Sequence, residues 1–496
     1  MPTENTKRNC HNAIRAEARR RDWVVVRWWL VLILPALLIF ITSCAVGPNY
    51  KRPLVDTPGN FRGATTTTTN SVADLPWWQV FQDDSLQYLI RTALTNSYNL
   101  RIAVARVEQA RAIAAQNRAA LFPQISYEGG ISRGKNSASG NPVFNGGKTG
   151  NAFVAAGAAS WEIDLWGRLR RLNEAARAQY LATQEARRDV MTSVISDVAQ
   201  AYFELLALDR ELEIARRTTN SFGESLRIFS ERLQGGIVSK LETSSAEAAL
   251  ASTAATVPDL ERRIVLQENQ INALIGRNPG PVPRNHNLLQ QLPPPEVPAG
   301  LPSSLVERRP DIRESEQLLR SANSQMGVAE ADFFPRISLT GLLGQTSPEL
   351  SAFTSGTANA WSAGANLVGP IFQGGRLRAQ YRAALAARDI ARLQYQSTIL
   401  NAFEEVSNAL ISREKFAEAR IQQARAVSAY EEAVQVSTQR YIAGRAGYYE
   451  ILQEQQQLFP AENSLVQTQL NQLLAIVQLY RALGGGWENT SGAKSR

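Results

Sequence analysis

The sequence repeats itself. Leu121-Phe122-Pro123-Gln124-Ile125-Ser126 returns 212 positions later as Phe333-Phe334-Pro335-Arg336-Ile337-Ser338. Trp166-Gly167-Arg168-Leu169-Arg170 returns as Gly374-Gly375-Arg376-Leu377-Arg378, and Arg232-Leu233-Gln234-Gly235-Gly236 as Arg440-Tyr441-Ile442-Ala443-Gly444, both 208 positions on. Ala273-Leu274-Ile275-Gly276 matches Ala482-Leu483-Gly484-Gly485 at an offset of 209. Similarity that keeps register over a whole half marks a duplicated structural unit. It also answers the length problem, since 496 residues are too many for one ordinary core. Between the halves, positions 279 to 302 hold eight prolines. Proline has no backbone donor and cannot continue a helix, so this stretch reads as a connector.

Within each half the dominant signal is helical. No proline occurs from Gly167 to Gly235, where Val190, Val194, Val198, Tyr202, Leu205, Leu208 and Leu212 recur every three or four residues. The counterpart from Gly375 to Gly444 repeats Ile399, Phe403, Val406 and Leu410 at the same spacing. At 1.5 Å per residue each stretch would reach roughly 100 Å, far beyond a globular core helix. Glycine-containing turns (Gly235 and Gly236, then Gly444 and Gly447) are expected to return the chain along a second helix to Gly276 and Gly485, making a long antiparallel hairpin in each half.

Each half also carries two alternating runs between a Phe-Pro break and the Gly-Arg-Leu-Arg turn. In the first, Ile125, Tyr127 and Ile131 share a face, as do Phe153, Ala155, Ala159, Trp161 and Ile163; in the second, Ile337, Leu339 and Leu343 pair with Trp361, Ala363, Ala365 and Leu367. Ser126, Ser338, Thr340, Gly364 and Asn366 occupy the opposite face. Runs of about ten residues with one apolar and one polar face suit tilted membrane strands. A soluble four-stranded sheet under the helices has the same periodicity and stays open at this point.

The N-terminus reads as an address. Arg15, Arg19, Arg20, Arg21 and Arg27 precede the apolar run Trp28 to Ile41, about 14 residues and too short to span a bilayer comfortably. The run ends in Ile41-Thr42-Ser43-Cys44, which resembles a bacterial lipobox; Cys44 would become the lipidated first residue and, with Ala rather than Asp at position 45, would by analogy with such lipoproteins be held to outer-membrane lipid. An uncleaved anchor helix with an incidental cysteine is the alternative. Residues 1–43 hold seven Lys/Arg against three Asp/Glu, so half of the +8 formal charge leaves with them. No dense basic stripe interleaved with aromatics remains, which argues against nucleic acid as a partner. Only two histidines and two cysteines occur. With His11 and Cys10 in the leader and His286 alone, neither a His-based metal site nor a Ser-His-Asp arrangement can be assembled, and no enzyme, metal or cofactor is expected.

Four strands cannot close a barrel, and hydrocarbon does not tolerate an open sheet edge, so membrane strands here would have to be shared between chains. Two copies would give eight strands, filled by side chains; three would give twelve and leave a lumen. 

Several ordered segments resemble the TolC-like outer-membrane efflux duct family, in its NodT-type lipoprotein branch associated with resistance-nodulation-division (RND) pumps. They are Cys44-Ala45-Val46-Gly47-Pro48-Asn49-Tyr50, Trp77-Trp78 with Phe81 and Asp83, Trp161-Glu162-Ile163-Asp164-Leu165-Trp166-Gly167-Arg168, Arg309-Pro310-Asp311-Ile312-Arg313, and Gly369-Pro370-Ile371-Phe372-Gln373-Gly374-Gly375-Arg376. The resemblance implies a membrane β-barrel on a long α-helical coiled-coil tunnel, four strands per protomer, with a 12-stranded barrel and 12-helix tunnel in a homotrimer. It also implies a periplasmic adaptor and an inner-membrane RND-type transporter as partners. On this basis the chain divides into a signal peptide (1–43), a lipid-anchored and equatorial segment (44–95), a first repeat (96–278), the connector (279–304), a second repeat (305–486) and a tail (487–496).

The same resemblance puts a periplasmic gate at the distal turns, where acidic residues narrow the tunnel. Glu450 matches one acidic family position and Gln453 stands in place of a second. Threefold symmetry would gather three Glu450 carboxylates, which repel one another and attract cations. Glu450 could equally begin the return helix, where a carboxylate suits the dipole, and its counterpart Glu242 carries the same ambiguity. Tyr448 and Tyr449 could narrow the mouth or pack between helices. The leading expectation is the exit duct of a small-molecule efflux pump. A type I secretion duct and a non-pore periplasmic coiled-coil scaffold are the alternatives.

Overall fold

The computed structural model describes residues 45–63, 71, 74–135, 149–291, 300, 302–354 and 356–485. The leader, Cys44, the middle of the connector and the C-terminal tail lie outside them. Among the described residues the first half contributes α1 (Trp77–Val80), α2 (Asp84–Asn96), α3 (Tyr98–Ala119), β1 (Gln124–Lys135), β2 (Thr149–Ile163), α4 (Arg168–Gln234) and α5 (Lys240–Leu274). The second contributes α6 (Pro302–Arg308), α7 (Pro310–Ala331), β3 (Arg336–Ser347), β4 (Asn359–Val368), α8 (Arg376–Ile442) and α9 (Tyr448–Ala482). The long outgoing helices α4 and α8 each have 67 residues, and the return helices α5 and α9 each have 35. The chain forms two compact units.

One unit gathers Arg111–Gln179 and Leu319–Ile390 with the chain up to Lys51. Its centre is an antiparallel sheet in the order β1-β2-β3-β4. Ile125 faces Ala159 and Ile131 faces Phe153; Trp161 faces Leu339 and Ile163 faces Ile337; Leu343 faces Trp361 and Ile337 also faces Leu367. All of these odd-numbered positions lie on one face. Ser126, Glu128, Ser160, Ser338, Thr340, Ser362, Gly364 and Asn366 lie on the other, joined by the apolar exceptions Val154, Leu342 and Val368. The apolar face is open: Tyr127 is 93% exposed, Ile125 84%, Trp361 77% and Leu343 73%. On β2 it runs from Phe153 to Ile163, eleven positions, within what a tilted membrane strand requires. Beyond Ile131 it gives way to Arg133, whose guanidinium meets the Asn151 amide oxygen.

The passage from β2 into α4 is tied down by charge. The Asp164 carboxylate accepts from the backbone N–H of Leu169 and Arg170 at 3.0 and 2.8 Å, capping the helix start. Glu162 takes the Arg168 guanidinium at 2.8–3.0 Å. Trp166 stacks on Phe334 with centroids 4.7 Å apart and donates to the Pro335 carbonyl. The segment after Cys44 is fixed to the same place: Val46 N–H donates to the Trp166 carbonyl at 2.9 Å, and Arg171 donates to the carbonyls of Val46 and Gly47.

The other unit gathers Arg52–Ala110, Tyr180–Leu318 and the chain from Ala391. Phe81 packs against Phe203 and Tyr480, and Leu86, Leu89 and Ile90 are sealed beneath them. Asp83 caps α2 through Leu86 N–H at 3.0 Å and accepts from the Tyr202 hydroxyl and the Gln291 amide. Thus the Trp77-to-Asp83 segment is a packing and capping element. Arg309 plays a similar part: it is buried, grips Asp311 at 2.6 and 3.0 Å, reaches Glu405 at 2.7 Å, and donates to the Ala482 carbonyl at the end of α9.

Beside Arg309 lies a crowded group of carboxylates. Glu185 is held by Arg188 and Arg313 at 2.6 and 2.9 Å. Burial, and then the charge of Asp311, pushes the Asp189 carboxyl up. Glu314 is pushed up to about 7 by burial and by the charges of Asp189, Asp311 and Glu185. Because its folded-state pKa exceeds its ordinary value of 4.5, folding takes up a proton between about 4.5 and about 7. This contribution to stability is therefore complete at the acid end of that window and is lost as pH rises through about 7. Glu314→Gln should flatten that part of the pH profile and raise thermal stability at alkaline pH. Circular dichroism melts across the window check this; an unchanged profile would refute the assignment.

Candidate functional site

The distal ends of the two hairpins repeat each other bond for bond. Ile237 N–H donates to the Arg232 carbonyl at 2.9 Å and Gly236 N–H to Leu233 at 3.0 Å; Arg445 donates to Arg440 and Gly444 to Tyr441, both at 2.9 Å. These paired bonds are Schellman caps, which need a left-handed residue, and Gly236 and Gly444 both have φ +69°. Gly235 precedes the first cap in ordinary conformation. Gly447 is the N-cap of α9 with φ −75° and open space around it, so its conformation does not call for glycine.

The N-cap residue, Ser239 in the first half and Gly447 in the second, separates the two acidic candidates. In the first half Ser239 occupies the N-cap, and its backbone N–H donates to the Glu242 carboxylate at 2.6 Å, one arm of a capping box. Glu242 thus serves the helix start. In the second half Gly447 offers no side chain for the reciprocal bond. Glu450 instead sits in the first turn of α9, 44% exposed, with its carboxylate 3.5 Å from the Arg440 guanidinium of the preceding helix. Gln453 is exposed one turn further on.

The two tyrosines also part. Tyr448 lies edge-on to Phe229 and Tyr441, with centroids 4.9 Å away in each case, and its hydroxyl is 2.9 Å from Ser225 Oγ. It closes a small core of Phe222, Phe229, Ala246, Ala249 and Leu452. Tyr449 is 54% exposed.

Above this core, α4 and α9 meet through polar bonds that the helical periodicity does not announce. Gln455 donates to Ser221 Oγ at 2.8 Å, Arg217 pairs with Glu462, and Gln467 donates to Glu211. Glu211, Thr218 and Ser225 are buried polar residues seven positions apart on α4, where the apolar stripe would otherwise continue. That interruption of the heptad was the available signal. Each such bond contributes only about 1 kcal/mol net, because water can replace either partner once the helices separate. The tip therefore combines a small apolar node, an exchangeable polar seam and exposed carboxylate–guanidinium pairs, Glu450–Arg440 among them. It holds no nucleophile–base pair; it can attract or repel ions and let helices part.

Comparison with known proteins finds relatives along most of the chain. The family described as Outer membrane efflux protein matches residues 89–277 and again 301–485, most of the chain. The toluene efflux pump outer membrane protein TtgC of Pseudomonas putida is 33% identical over 469 residues, covering 93% of this chain and 96% of that protein. The cation efflux system protein CusC of Escherichia coli is 31% identical, covering 92% and 99%. The solved outer-membrane channel OprN superposes with a TM-score of 0.83 at 30% identity, covering 90% of this chain and all of that one.

The division of labour between the acids is measurable. Glu242→Ala should speed amide exchange in the first turn of α5 by roughly five- to tenfold, the loss of about 1 kcal/mol of capping. Glu450→Ala should leave exchange at the start of α9 within about twofold, since its carboxylate faces Arg440. Equal effects at both sites, read by hydrogen-exchange mass spectrometry, would contradict the assignment.

Proposed function

The chain belongs to the outer membrane efflux protein family, and from that membership we infer that it is the outer-membrane exit duct of a tripartite efflux pump, passing small molecules such as drugs or toxic compounds across the periplasm and outer membrane. The observation that carries the reading is a four-stranded sheet with an exposed apolar face and, among the described residues, no strand beyond β1 or β4. In hydrocarbon each unpaired backbone group costs several kcal/mol, so those edges must meet strands of other copies. Three copies give twelve strands and a lumen, and a homotrimer is the assembly proposed. The helices support it: α8 leaves Leu393, Leu400, Ile411 and Ile421 exposed at near-helical spacing, an apolar stripe suited to a neighbouring copy.

A periplasmic adaptor and an inner-membrane RND-type transporter complete the pathway in this reading. Cargo choice belongs to the transporter, in keeping with relatives of one architecture named for toluene and for cations. Lipidation at Cys44 fits the anchoring of Val46 to Trp166, which would bring acyl chains to the strand–helix boundary where the apolar band ends. At the other end, three exposed Glu450 side chains around the axis form the gate, with Gln453 as a neutral second ring; opening relieves their mutual repulsion as the polar seam between α4 and α9 exchanges its bonds for water.

Reconstitution in planar bilayers tests both levels. The unmodified protein should conduct as a trimer, and a protein that forms no channel would refute the duct. Glu450→Ala should change unitary conductance or its block by divalent cations; identical conductance and block would remove Glu450 from the gate.

A further inference from the structure

Both halves enter their long helices through the same Arg-Leu-Arg sequence, yet they treat its arginines differently. In the first half Arg168 is neutralised by Glu162 and Arg170 by Asp164, the latter at 3.2 Å. Aligned without gaps, the second half keeps Arg376 and Arg378 but has Pro370 for Glu162 and Phe372 for Asp164. The arginines stayed and their counter-ions did not. Arg376 is held only by the neutral amide oxygens of Gln373 and Gln380, Arg378 is exposed, and among the described residues neither forms an ion pair.

The same exchange opens space. Where the first half sets the Trp161 indole, its Nε1 donating to the Leu121 carbonyl at 3.0 Å, the second has Gly369. Gly369 and Pro370 help to line a cleft of about 270 Å³, with Phe334, Val368 and Leu377 as its apolar surfaces and Arg336 and Arg376 as its cations. Arg336 shares its charge with Asp332 at 2.8 Å, so the cleft keeps one guanidinium beyond what its carboxylate balances. Arg336 pairs in register with Val368, on the sheet face that carries Ser338, Thr340 and Asn366. In the duct reading, on which this inference rests, that face borders the water-filled passage.

We propose that this cleft is a binding site for amphipathic organic anions in transit through the duct. A carboxylate, sulfonate or phosphate group docks on Arg376 and Arg336, whose planar forks match its oxygens, and the apolar body lies over Phe334 and Val368. Neither Pro370 nor Gly369 brings a negative charge to compete. The first half holds no equivalent site, because Glu162 already occupies Arg168 and Trp161 stands in the corresponding place. A trimer carries three such clefts at one level, and each holds an anionic molecule that the transporter has delivered longer than a cationic one of the same shape.

The test is block of single channels in planar bilayers by a naphthalenesulfonate, with naphthalenemethanol as the neutral analogue. The conductance of each variant before the probe is added reports that the duct has assembled. The sulfonate should reduce current through the unmodified channel in a voltage-dependent way, and the neutral analogue should block at least about tenfold more weakly. Arg376→Gln removes the cation, and Pro370→Glu restores the carboxylate that Glu162 supplies in the first half; each should weaken the sulfonate block about tenfold. Block that ignores both substitutions, or that is equal for the neutral analogue, overturns the anion site while leaving the duct intact. Failure of the unmodified protein to conduct overturns the duct reading, and the inference with it.

Discussion

A backbone N–H or C=O group at the edge of a β-sheet must find a partner, and among the described residues β1 and β4 each present a row of such groups with no strand beside them. In water the solvent would serve. Here the adjoining face is a band of Ile, Leu, Trp and Tyr side chains that water does not favour, so the surroundings that suit the face are those in which the edges cannot stay unpaired. Sharing strands between copies resolves both demands at once. In the proposed assembly the helices inherit that solution, since each long helix follows directly from a strand and the exposed apolar stripe of α8 would meet the next copy.

Much of this was legible because it depends on short-range periodicity. Alternation with period two assigned Ile125, Tyr127, Trp161, Leu339 and Trp361 to one face, and the register agrees pair by pair. The helices α4 and α8 were legible as long proline-free stretches. The return helices were harder: Pro258 and Pro460 lie inside α5 and α9, where the missing N–H ordinarily ends or bends a helix. Both prolines are exposed while Leu260 and Glu462, two positions on, are buried, so each helix runs through its proline with the packed side intact, which no local rule registers.

The distal turns divide the same way. Gly236 and Gly444 follow from the chemistry of a left-handed cap. The different fates of Glu242 and Glu450 do not follow from their shared position; they depend on Ser239 being replaced by Gly447 and on Arg440 lying across the turn. Likewise the links from Ser221, Arg217 and Glu211 to α9 join residues more than 230 positions apart, which only the fold brings together. Duplication gave the two halves one framework, and the informative residues are those at which the copies have diverged.

The matched helix lengths, 67 residues out and 35 back in both halves, constrain how such a molecule can change size. One inserted residue advances everything beyond it by 1.5 Å and turns it by about 100°, swinging the apolar stripe away from its seam. Seven residues bring the stripe back to within about 20° of phase while adding about 10 Å. A change in one helix also misaligns the hairpin unless its return partner changes too, and likewise in the other half. Reach in this architecture is therefore quantised: it can be altered only in coordinated steps of two helical turns, four helices at a time.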